Sequence, residues 1–179
     1  MGESGWRVLI GFTILGIAVF LATSILGYVY PQYWIVEQFF ENVRNILSKT
    51  GLSLVLAIFL NNLRAAIIVF VGGALFIIPG LLFLGINGLL VGSTIKYAAE
   101  EFGTPLEKSI LLIVPHGIIE IPAIALAFAF GARCFLKCRS LESAAKNILV
   151  AAITITTLLL IAAFVEVFIT PRVAGFEPP

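Results

Sequence analysis

From Gly51 to Ala98 the only charged side chains are Arg64 and Lys96. That run is too apolar for a soluble core of this size and too long for one membrane crossing, which takes about 20 residues. Backbone polar groups in lipid must bond within their own segment, so the run is expected to fold as two membrane helices. Ile78-Pro79-Gly80 is the expected turn between them, because Pro interrupts a helix and Gly permits positive φ.

The rest of the chain repeats the pattern. The sequence is 60% hydrophobic and 12% charged over 179 residues, against about 45–50% apolar and 25% charged for soluble domains. Apolar blocks predict spans over about 8–30, 53–77, 80–98, 109–132 and 147–170, with Pro171 ending the last. The expected fold is all-α, a polytopic transmembrane helix bundle forming one membrane domain. The first block is too long for a signal-peptide core and ends in Tyr28, Tyr30 and Pro31, an interfacial signature, so it reads as a retained span. Its partner of first resort is the lipid bilayer.

Residues 34–47 differ. Val36, Phe39, Phe40, Val43 and Leu47 recur at helical spacing, with Glu37, Gln38, Glu41, Asn42, Arg44 and Asn45 between them. This predicts an amphipathic helix at the membrane interface or covering the span ends. Arg7 and the cluster Arg133, Lys137, Arg139 and Lys146 fall on one side of a five-span chain, and Arg44, Lys49, Lys96, Lys108 and Arg172 on the other. By local density, not by totals, the first side is expected to be cytoplasmic, together with the N-terminus. Ala18 and Ala22, Gly88 and Gly92, Ala123 and Ala127, and Ala127 and Gly131 are small-residue pairs that allow close helix approach.

A net charge of +1 offers no electrostatic basis for binding nucleic acid. Cys134 and Cys138 have no further ligand nearby and make a poor zinc site. They read as reduced thiols at the cytoplasmic edge, with reversible lipidation as the alternative.

Chemistry concentrates in polar residues within apolar blocks, where each marks a helix contact or a functional site. They are Asn61, Asn62, Arg64, Asn87, His116 and Glu120. His116, the chain's only histidine, stands four residues before Glu120, so both face the same way on a helix. The flanking Pro115, Gly117 and Pro122 predict an interrupted span near Pro115, with Pro79 and these three residues as helix breakers. Glu120 requires a partner, and Arg64 or an Asn is expected to supply it. Glu166 would make a third ligand beside His116 and Glu120, but nothing in the sequence places it close. One histidine without H-E-x-x-H, and a chain with no aspartate, provide no metalloprotease or nucleophile–base set. No catalytic residue, metal or cofactor is expected.

"FLNNLRAA" (59–66), "LGINGLLVG" (84–92) and "PHGIIEIPA" (115–123), in that order and spacing, resemble the stage II sporulation protein M family. The matching positions are Asn61, Asn62, Arg64, Asn87, Gly88, Gly92, Pro115, His116, Gly117, Glu120 and Pro122. The resemblance implies an integral membrane scaffold, since the sporulating member belongs to a complex with a peptidoglycan-degrading enzyme during engulfment. It implies no catalytic residues. The expected function is a non-enzymatic scaffold or partner subunit of a membrane complex, working with other membrane proteins or with copies of itself. The alternative is a transporter, channel or permease-like subunit whose polar cluster lines a path. Hydration separates them: a path needs His116, Glu120 and Asn87 on a water-accessible cavity, and a scaffold needs them sealed and mutually bonded.

Overall fold

Apolar blocks of this length fold as helices because only a helix satisfies every backbone group locally. The computed structural model describes residues 3–175, and the side chain of Leu47, which the amphipathic pattern includes, lies outside the described part. The order is α1 (Glu3–Val29), α2 (Tyr33–Leu47), α3 (Gly51–Phe76), α4 (Ile78–Phe102), α5 (Leu106–Leu111), α6 (Val114–Lys137) and α7 (Leu141–Phe164). A π-helical turn, Val165–Ile169, joins α7 to α8 (Thr170–Val173). Five of the described helices are long and apolar enough to cross a membrane: α1, α3, α4, α6 and the continuous α7–α8 rod.

α6 is the central helix. Ala123, Ile124, Ala125 and every residue from Ala127 to Ala132 are buried, with α1 and α3 packed on it and α7 alongside. Phe128 is fully buried, and Phe12 of α1 meets it edge-on at 5.7 Å between ring centroids. Outward-facing Ile, Leu and Phe cover the other faces, as lipid-facing helices require.

Small residues set the closest approaches. A Cβ added to Gly92 of α4 would stand 1.8 Å from the Ser24 carbonyl oxygen of α1, and one on Gly88 would stand 2.3 Å from that of Phe20. Gly131 of α6 abuts the Phe70 carbonyl of α3 in the same way. Ala18 and Ala22 instead face outward.

The sequence expectations need several corrections. The α3–α4 turn falls at Ile77, which takes φ 61° and ψ −56°, a conformation that strains a β-branched residue. Pro79 sits in the first turn of α4, where a missing N–H costs nothing. Gly80 is helical, and its lack of a Cβ lets Gly73 approach; a Cβ there would be 2.6 Å from the Gly73 nitrogen. Gly117 and Pro122 break no helix, since both lie within α6, and the Gly117 N–H bonds the Ile113 carbonyl at 2.8 Å. Pro171 does not end the last span either, because it falls in the first turn of α8 after the π-helical turn. The basic segment 133–146 is mostly helix, with only residues 138–140 between α6 and α7. There Arg133 donates to the buried Asn147 side chain, whose amide donates to the Phe130 carbonyl at 3.0 Å.

Candidate functional site

The chain breaks at Leu112 and Ile113, between α5 and α6, and Pro115 then occupies the first turn of α6. This places His116 and Glu120 one turn apart near the start of α6. α7–α8 runs antiparallel to α6, so its far end returns to the same level. The π-helical turn there carries Glu166. Such a turn adds a residue to the helical ladder and re-aims the side chains around it, a frequent device at functional sites.

The result is a cluster that the sequence could not place. Ligand atoms of His116, Glu120 and Glu166 all lie within 4.8 Å of one another. They face a cavity of about 260 Å³, also lined by Asn61 and Asn62 of α3 and by Phe39, Phe40, Val43 and Ile46 of α2. His116 Nδ1 is 3.3 Å from Thr170 Oγ1, and Thr170 is buried. That hydrogen bond fixes the plane of the imidazole.

Arg64 is not the partner of Glu120. It lines a neighbouring cavity of about 420 Å³ with Asn42, Asn61 and Asn87. Lys96–Glu100 and Lys146–Glu142 form ion pairs, both between i and i+4 on a helix, and neither includes Arg64 or Glu120. Asn87 donates to the Phe83 carbonyl of its own helix at 2.7 Å, and Asn61 donates to the Asn62 side chain at 3.3 Å. Phe39, Val43 and Asn61 line both cavities, so these residues stand between the carboxylates and Arg64.

α2 covers this region. Val36 and Val43 are buried, while Glu37, Glu41 and Arg44 are exposed. Its N-terminal end is tied down twice: the Gln32 N–H donates to Ser93 Oγ at 3.1 Å, and Tyr33 donates its hydroxyl proton to Glu100. Sequence periodicity identified the two faces of α2 but not the polar cavities beneath it. Glu166 carried one readable signal, a carboxylate inside an apolar run. What was missing was the antiparallel pairing of α6 with the last helix.

Five membrane-length helices around polar cavities, with an amphipathic helix over them, define a multi-pass membrane protein with an internal polar site. The sequence profile of the family described as Stage II sporulation protein M matches residues 10–171, nearly the whole chain, and the protein belongs to that family. It is similar to two uncharacterized proteins of Methanocaldococcus jannaschii. It is 35% identical to one over 91 residues, covering 51% of this chain and 38% of that protein. It is 32% identical to the other over 134 residues, covering 67% of this chain and 72% of that protein. The chain therefore spans well under half the length of the first relative. No solved structure matches.

Proposed function

We propose that this protein is a non-enzymatic, transporter- or permease-like membrane subunit that takes a small cation into the cavity beneath α2. One observation carries the reading: Glu120 and Glu166 converge on a single cavity whose lining includes no Lys or Arg. Two ionised carboxylates this close repel each other, and away from bulk water each costs several kcal/mol unless a positive charge compensates it. A cation entering from the membrane surface supplies that charge. Polar residues serving only to hold the bundle together would instead bond one another, as Arg133 and Asn147 do between α6 and α7. A second reading, a scaffold or partner subunit of a membrane complex, draws on the family membership and needs no ligand.

Hydration separates the two readings. Asn61→Cys and Asn62→Cys, both on the wall of the cavity, are introduced singly into a Cys134→Ser/Cys138→Ser background, and open membrane fragments are treated with a small cationic thiosulfonate. A cation cavity predicts that both cysteines react at rates approaching that of Thr104→Cys, which follows the end of α4. Unreactive cysteines at 61 and 62 alongside a reactive one at 104 would mean sealed polar contacts and a scaffold.

A further inference from the structure

We propose that His116, Glu120 and Glu166 form a binding site for one divalent first-row transition-metal cation, Zn²⁺ being the ion their donor set suits. This rests on the cavity being a cation site and identifies the cation. Charge comes first. Once a metal has displaced their protons, two carboxylates and a neutral imidazole carry a charge of −2, which one divalent ion balances and one monovalent ion does not. Reach comes second. Zinc binds imidazole nitrogen and carboxylate oxygen at about 2.0–2.2 Å, so the donors of a tetrahedral site stand roughly 3.3–3.6 Å apart. The three ligand atoms already lie within 4.8 Å of one another, a gap that small side-chain rotations close.

The surroundings are those of a ligand site. Thr170 is buried and hydrogen-bonded to His116 Nδ1. With the Nδ1 proton donated to Thr170, the lone pair sits on Nε2, and a fixed outer partner of this kind orients metal-bound histidines. Glu166 is presented by the π-helical turn, on a different helix from the other two donors. Glu120 and Glu166 have no ion pair among the described residues. Three protein ligands leave a fourth position open toward the cavity, where the Asn61 and Asn62 side chains stand. Imidazole in the set favours zinc and its neighbours over Mg²⁺ and Ca²⁺, which prefer oxygen alone.

The test uses the full-length protein in detergent, with Cys134→Ser/Cys138→Ser removing the thiols as competing ligands. After chelator stripping, it is dialysed against Zn²⁺ and its metal content measured. One zinc per chain is expected, together with a rise in melting temperature on adding Zn²⁺ and no displacement by excess Mg²⁺. His116→Ala removes the chain's only imidazole, and it and Glu166→Gln should each weaken binding by 10-fold or more. Thr170→Val, which touches no metal, should weaken binding on the order of 10-fold. The melting shift of the parent protein needs no variant and stands if one fails to fold. Absence of bound zinc, or equal binding by a folded His116→Ala, overturns the metal site. Cysteines at 61 and 62 that still react in that event would leave a cation cavity serving protons, whereas unreactive ones would remove the cavity reading as well.

Discussion

The hydrogen bond from Tyr33 to Glu100 joins the first turn of α2 to the last turn of α4. The carboxylate holds the phenol in its protonated form and pushes the Tyr33 pKa up to about 12, the hydrogen bond being the main cause. A tyrosine raised above its ordinary value near 10 stabilises the fold below that pH, and the contribution is lost as pH rises through 12. In an ultraviolet titration of tyrosinate absorbance, one of the four tyrosines should therefore ionise late. Glu100→Gln should bring it back toward 10. If the parent shows no late-titrating tyrosine, the tie between α2 and α4 is absent. At the same scale, Ile77 shows where sequence reading falls short. Ile78-Pro79-Gly80 located the turn, but the positive φ falls on the β-branched Ile77, while Gly80 lies inside α4 and packs against Gly73.

At the scale of elements, the α1–α4 interface depends on glycines for proximity, not for backbone freedom. Gly92→Ala sets two effects against each other. Alanine gains about 1 kcal/mol of helix propensity over glycine, but its Cβ would stand 1.8 Å from the Ser24 carbonyl oxygen and 2.7 Å from the Tyr28 nitrogen. Backbone atoms cannot swing aside as a side-chain tip can, so the helices must separate, at about 1–3 kcal/mol or more. Gly92→Ala should lower the melting temperature in detergent, while Gly11→Ala, which meets nothing within 4 Å, should leave it unchanged or raise it. Equal melting temperatures would show that α1 and α4 are not in this close register. The Gly88/Gly92 and Ala127/Gly131 pairs were legible as packing signals, since in lipid only small residues admit such approach. That Ala18 and Ala22 would face outward was not legible, because a small-residue pair does not say which neighbour, if any, uses it.

For the whole molecule, the five crossings and the amphipathic α2 were readable because lipid allows the backbone so few solutions. The functional cluster was only half readable. The i, i+4 spacing joined His116 to Glu120 within one helix, but Glu166 lies 46 residues beyond Glu120, and only packing of two helices brings it there. Counting crossings carries further information: α6 starts, and α7–α8 ends, on the side where α2 lies, opposite the 138–140 connection. The His116, Glu120 and Glu166 cluster thus belongs to the α2 half of the bundle. Which face of the membrane that is we predict from the density of basic residues. Arg133, Lys137, Arg139 and Lys146 cluster on the far side with Arg7, whereas Arg44, Lys49, Lys96, Lys108 and Arg172 are spread along the α2 side. Dense positive charge near span ends is expected to mark the cytoplasm. The cavity beneath α2 should accordingly open away from the cytoplasm. The native thiols report on this, since Cys134 and Cys138 are both free and only partly buried at the opposite end of α6. A membrane-impermeant maleimide added to intact cells should leave them unmodified and should label them once the cells are lysed. Labelling in intact cells would invert the protein, turning α2 and the His116, Glu120 and Glu166 cluster toward the cytoplasm and reversing the side from which a cation enters.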